Sequence, residues 1–108
     1  MLHVTSVEID LTDPVEPDDA ATLMEALAPT YADLAGLRHK YFLLDPQRRV
    51  TGGVYVWDDA ASAAAWHDAE WTQRVTDTYG QPPRLRSFDV PVEIEGGEIR
   101  NLLTHPGE

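Results

Sequence analysis

Apolar and polar residues alternate from Val4 to Leu11. Thr5, Val7, Ile9 and Leu11 fall on one side, and Ser6, Glu8 and Asp10 on the other. A repeat of two positions predicts a β-strand, because successive strand side chains point to opposite faces. Asp13-Pro14 breaks the pattern, as a turn-forming pair does. Beyond it the period changes. Ala20, Leu23, Met24, Leu27, Tyr31 and Leu34 recur at every third or fourth position, which predicts a helix with one apolar stripe. Pro17-Asp18-Asp19 opens it, placing acids at the positive end of its dipole. Pro29 lacks the donor that a helix interior needs, so a kink or division is expected near Ala28. Gly36 is the expected terminator.

Leu37 to Leu44 and Thr51 to Trp57 are rich in β-branched and aromatic residues, and Asp45-Pro46-Gln47-Arg48-Arg49 lies between them. This reads as a β-hairpin. Gly52-Gly53 inside the second strand predicts a bulge or the close approach of another group. Asp58-Asp59 caps a helix from Ala60 to about Glu70, and a second helical segment runs from Trp71 to Tyr79 until Gly80-Gln81-Pro82-Pro83 stops it. Leu85 to Ile94 is the last long strand. Pro91 within it removes a ladder donor and marks an edge or a strand end. Glu95-Gly96-Gly97-Glu98 reads as a turn, and Ile99 to Leu103 as a short strand in a tail that spans residues 96–108.

The order β-α-β-β-α-β is the split βαβ, or ferredoxin-like, motif of an α+β domain. Its antiparallel sheet carries both helices on one face. The other face is left bare, and a second copy of the chain is the simplest cover. A homodimer is therefore expected. The 108 residues suit a single domain that buries about 65% of its unfolded surface.

The formal net charge is −11, and residues 1–37 hold eight acids with no Lys or Arg. Such a surface repels phosphate backbones and anionic lipid, which argues against nucleic acid and membrane partners. The absence of cysteine removes disulfides, thiol nucleophiles and thiolate metal sites, and fits a reducing cytoplasm. The N-terminus has no cationic stretch followed by an apolar run, so no signal peptide is read, and no apolar stretch reaches the ~18 residues of a membrane span. The four histidines show no metal-ligand spacing, and neither a phosphate-binding glycine loop nor a nucleophile elbow occurs.

Two segments carry a family resemblance. Gly36-Leu37-Arg38-His39-Lys40-Tyr41-Phe42 resembles the Pro-Gly-Leu-x-x-Lys strand entry of the YdhR-like putative mono-oxygenases. Gly52-Gly53-Val54-Tyr55-Val56-Trp57-Asp58 is similar to their Gly-Gly-[Ile/Val]-Tyr strand. Ala60, Ala61, Ala63 and Trp66 fall where that family starts a helix with small residues, and Phe88-Asp89-Val90 resembles its last strand. The resemblance covers residues 36–90. It implies a dimeric α+β barrel and a small-molecule pocket between sheet and helices. Relatives of this fold include cofactor-independent mono-oxygenases of polycyclic phenols, haem-degrading enzymes and polyketide cyclases. The first two groups use an asparagine on an early strand. Here the sole asparagine is Asn101, in the tail, so that role has no occupant.

Among residues able to carry chemistry, His67 stands out. On a continuous helix it shares a face with Ala60, Ala64, Trp71 and Val75. An imidazole in an apolar stripe is a candidate general base or haem ligand, and equally a hydrogen-bonded structural residue. His39 is a second catalytic candidate, on a strand face with Leu37, Tyr41 and Leu43. His3 with His67 loosely resembles the histidine pair of the cyclases, and His105 lies in the tail. Tyr41, Tyr55 and Trp57 are read as an aromatic wall for a flat ligand, with Trp66 and Trp71 completing the pocket. Ordinary core or interface packing is the alternative. Arg38 and Lys40, on the face opposite His39, could hold an acidic group or simply be solvated, as could Arg84 and Arg86.

The expectation is a mono-oxygenase that takes a small hydrophobic aromatic substrate without a bound cofactor, haem being left open. The alternatives are a non-catalytic binding or stress-response protein and a polyketide cyclase or isomerase. The cyclase would react without oxygen, and the mono-oxygenase would not.

Overall fold

The computed structural model describes residues 1–103. Strand β1 (His3–Asp10) is followed by helix α1 (Pro17–Ala32) and the hairpin of β2 (Leu37–Asp45) and β3 (Val50–Trp57). Then come α2 (Ala60–Trp66), α3 (Ala69–Tyr79) and β4 (Arg84–Asp89), and finally a separate hairpin of β5 (Val92–Glu95) and β6 (Glu98–Asn101). The main sheet is antiparallel in the order β2-β3-β1-β4. This is the ferredoxin-like arrangement, with the second helix delivered in two pieces.

The alternation read in the sequence survives as two distinct sheet faces. Thr5, Val7 and Ile9 of β1 and Thr51, Tyr55 and Trp57 of β3 are buried. Together with Ala63 and Trp71 they form the core under the helices. The register places Lys40 opposite Tyr55 and Phe42 opposite Gly53, so Lys40, Phe42 and Leu44 share this helix-covered face. The other face carries Val54, Val56, His39, Tyr41, Leu43 and Phe88, and Tyr41 is 58% exposed.

Several expectations are corrected. Pro29 does not divide α1, which runs through it to Ala32. It falls in the last turn, where only one interior hydrogen bond is forfeited and the chain is about to leave the helix. The helix therefore ends before Gly36. Residues 33–36 form the turn into β2, which Gly36 makes with φ of 80°. The second helix breaks at His67-Asp68 rather than at Glu70. Asp68 caps α3 by accepting a hydrogen bond from the Trp71 amide at 2.8 Å. The long last strand is interrupted at Val90-Pro91, as the proline anticipated, and its second half joins β6 instead of the main sheet. Leu102, assigned to the tail, is buried, and its amide bonds the Pro91 carbonyl.

The glycine pair in β3 resolves to close approach. The β1–β3 register passes Gly52 without a shift. A Cβ at Gly52 would sit 1.8 Å from the Val7 carbonyl oxygen. The bulge of the sheet lies instead between Leu37 and His39. That bulge turns Leu37 toward the core while His39 keeps the open face, so the two do not share a side as the unbroken alternation suggested.

Candidate functional site

Two layers of chemistry lie under the helices. The inner one is centred on Thr5. Its hydroxyl accepts a hydrogen bond from Trp57 Nε1 at 2.9 Å and lies 2.8 Å from His67 Nε2. Because one lone pair is taken by the indole, the hydroxyl proton is free to be donated to His67. The His67 ring stands edge-on to Tyr55, Trp57 and Trp71, the nearest centroid being that of Trp71 at 4.4 Å. Its Nδ1 is buried without a partner. Burial, and then the charge of Lys40, lower the His67 pKa to about 4, so the imidazole is neutral at physiological pH.

The outer layer is a cavity of about 160 Å³ between the sheet and helices α1 and α3. It exists because α1 stands off the sheet. Ala20 is the buried residue of that helix, while the apolar Leu23 and Leu27 line the cavity yet are 58% and 42% exposed. The floor is Val7, Ile9, Phe42 and Tyr55, and Trp71 and Val75 close the α3 side. A concave, mostly apolar space with a few convergent polar groups is the usual form of a small-molecule site.

Those polar groups are Lys40, Thr51, Tyr31, Tyr55 and Tyr79. Lys40 is the only lysine in the chain. Its Nζ lies 3.1 Å above the centroid of Tyr31, 4.0 Å from that of Phe42 and 4.5 Å from that of Tyr55. No carboxylate pairs with it among the described residues. The aromatic faces compensate an ammonium only in part, and burial brings the amine from 10.5 down to about 7. Burial raises Tyr31, and a hydrogen bond with Tyr55 draws it partly back. Burial, and next the neighbouring Tyr31, hold Tyr55 far above its ordinary range. Both phenols thus keep their protons beside an amine that readily gives its proton up.

The residues singled out from the sequence separate into three places. Tyr55 and Trp71 line the cavity. Trp57 is wholly buried and stacks on Tyr55 with ring planes 6° apart, one layer behind. His67 belongs to that same inner layer and is not among the cavity-lining residues. Trp66 packs edge-on against Tyr31 at 5.5 Å. Its buried Nε1 makes no hydrogen bond of good geometry, though it is near enough to Tyr55 to favour that phenol's ionised form. His39 and Tyr41 pack together at 4.6 Å on the opposite face of the sheet. The expected wall of Tyr41, Tyr55 and Trp57 is therefore split, because Tyr41 pairs with Val54 and not with a residue of Tyr55's parity. His3 bonds Asp89 at 3.2 Å. His105 lies outside the described residues. Tyr31 and Phe42 were missed as site residues. The available signal was Lys40 itself, the chain's single lysine, on the strand face that also carries Phe42 and Leu44.

No cluster of three or more potential ligands that could hold a metal occurs among the described residues. No helix of theirs is long and apolar enough to cross a membrane.

Two solved structures share this architecture. A protein of unknown function from Nitrosomonas europaea superposes with a TM-score of 0.60 at 14% identity, over 82% of this chain and 88% of its own. Protein YJCS superposes with a TM-score of 0.55, also at 14% identity, over 83% of this chain and 99% of its own. At such identity the likeness speaks for the fold alone. No functionally curated protein matches. Residues 4–95, almost the whole ferredoxin-like unit, match the family described as "Putative mono-oxygenase ydhR", and the chain belongs to that family.

Proposed function

We propose that the protein is an oxidoreductase that binds a small hydrophobic aromatic substrate in the cavity under α1, with the Lys40 amine as its proton acceptor. The observation that carries this reading is the chain's single lysine, set in an apolar, aromatic cavity with no counter-ion among the described residues. A flat substrate lies against Phe42, Tyr55 and Trp71 and directs an acidic hydroxyl or activated methylene at Nζ. A neutral amine there accepts the proton. The resulting ammonium is held by the ring faces and by the anion it has created, in a medium where such a pair attracts strongly. Loss of the proton makes the substrate electron-rich enough to reduce dioxygen. When a methylene becomes a carbonyl, one oxygen atom enters the product and the other leaves as water. The substrate supplies all the electrons, so no reductant or bound cofactor is required. His67 takes the part of a positioning residue, fixing Trp57 and the back of the cavity through Thr5.

Trp71 on the cavity wall supplies the test. Saturable quenching of tryptophan fluorescence by naphthols or anthrols, with oxygen uptake that Lys40→Met abolishes, is expected. Saturable quenching with no oxygen uptake would mean a binding protein instead, and turnover that persists without oxygen would mean a cyclase or isomerase. On the open sheet face we also propose pairing with a second copy of the chain.

A further inference from the structure

We infer that Lys40 is a covalent capture site for aldehydes and ketones: a hydrophobic carbonyl compound entering the cavity condenses with its amine to form an imine. This uses the cavity of the proposed function but not its chemistry, since neither oxygen nor an acidic substrate is needed.

Three observations converge. First, Lys40 lines the cavity, partly buried, with its Nζ over three aromatic faces and no carboxylate paired with it among the described residues. A lysine so placed loses the hydration that keeps an ordinary ammonium protonated, and that is the usual way in which proteins make a nucleophilic amine. With Lys40 lowered to about 7, roughly half of it is neutral at pH 7, about a thousand times the fraction of an ordinary surface lysine. Second, two of the cavity phenols, Tyr31 and Tyr55, remain protonated and can serve as proton donors. Third, the chain uses arginine at every other cationic position. Apart from the N-terminus, Lys40 is its only primary amine. Arginine fulfils the surface ion pairs of Arg38, Arg48 and Arg84 and cannot form an imine under ordinary conditions, whereas lysine stands where one can form.

The step balances without an oxidant or reductant. The amine lone pair attacks the carbonyl carbon and forms the N–C bond as the C–O double bond opens. A proton moves from nitrogen to oxygen to give the carbinolamine. The hydroxyl then departs with a further proton as water, leaving the C–N double bond. The product imine is itself apolar when unprotonated and suits the cavity. The wall of Phe42, Tyr55 and Trp71 selects aromatic or long aliphatic carbonyls over small hydrated ones.

The test treats the full chain with 2-naphthaldehyde and cyanoborohydride at pH 7 and maps the added naphthylmethyl group by peptide mass spectrometry. Reductive labelling at Lys40 several-fold faster than at the N-terminal amine is expected, because the apolar cavity holds the naphthaldehyde beside the amine, with no labelling at position 40 in Lys40→Arg. Labelling confined to the N-terminus, or equal at both amines, would overturn the inference. In parallel, 2-naphthol is titrated by tryptophan quenching. Naphthol binding without an imine at Lys40 would sink the covalent site and leave the proposed function standing. An imine without naphthol binding would do the reverse.

Discussion

An ammonium beneath three ring faces has exchanged most of its water for weak cation–π contacts, so the folded state disfavours the charged form of Lys40. Its folded pKa of about 7 lies below the ordinary 10.5. Between those values the unfolded chain binds more protons than the folded one, and stability rises with pH. Below pH 7 the penalty is fully present. Lys40→Met removes it. The variant is expected to be more stable than the parent by roughly 2–4 kcal/mol at pH 6, a range that allows for the side chain's partial exposure. The difference should shrink steadily toward pH 10. Urea unfolding of both proteins across that range measures it, and a gap independent of pH would refute the assignment. Thr5 presents the opposite case, a buried polar group that is fully used. Thr5→Val keeps the shape but strands the Trp57 indole N–H and His67 Nε2 together. A loss of about 2–4 kcal/mol is expected in chemical denaturation, against well under 1 kcal/mol for Thr5→Ser. Little of this was legible in the sequence. Lys40 could be placed on its strand face by alternation, but the loss of its water depends on α1 and Tyr31, which are remote in sequence. His67 was found by its apolar neighbours, yet its hydroxyl partner lies 62 positions away on β1.

At the level of elements, period and punctuation revealed nearly everything except where breaks fall. Strand β1, the β2–β3 hairpin and both helical regions appear where alternation, helical spacing and turn residues put them. The break in the second helix was misplaced because the residues 60–75 continue one apolar stripe across it. What decides is Asp68, whose carboxylate captures the Trp71 amide and starts a new helix just after His67 has closed the previous one through the Ala63 carbonyl. The break also lets His67 turn inward from a capping position instead of from the middle of a helix. Asp68→Ala should cost about 1 kcal/mol, as lost N-caps do. It should also change near-ultraviolet circular dichroism by loosening Trp71 against the His67 ring. Asp68→Asn or Asp68→Ser should restore both, and a variant that loses stability with its aromatic signal intact would separate the cap from the site. Within β2, the face assignment of Leu37 alone failed, for a similar local reason. The bulge between Leu37 and His39 leaves no mark in the pattern of residue types, whereas the close approach at Gly52 announces itself as a glycine.

For the whole molecule, the two faces of one sheet have different fates. The helices cover one. The other displays Tyr41, Leu43 and Phe88 at 58%, 40% and 51% exposure, with Val4, Val54 and Val56 half-buried between them. A contiguous apolar face of this kind is unusual on a monomer. Charge points to the same occupant. The chain carries −11 overall, so two copies repel over most of their surfaces. This face, however, sets Arg84 and Arg86 of β4 beside Glu8 and Asp10 of β1 and is close to neutral. A two-fold axis through it would bring apolar strand against apolar strand without stacking like charges, as a self-complementary interface requires. Light scattering behind size exclusion should therefore give twice the chain mass at micromolar concentration. Tyr41→Asp with Phe88→Asp adds four carboxylates to the paired faces and should yield the monomer, while the tryptophan response to naphthol, which arises on the far side of the sheet, stays within about two-fold of the parent by the independence of distant sites. A parent protein that is monomeric at every concentration would mean that the bare face belongs to some other partner. A double variant that remains dimeric would move the interface elsewhere, with the β5–β6 hairpin and its exposed Ile94 and Ile99 as the next surface to charge.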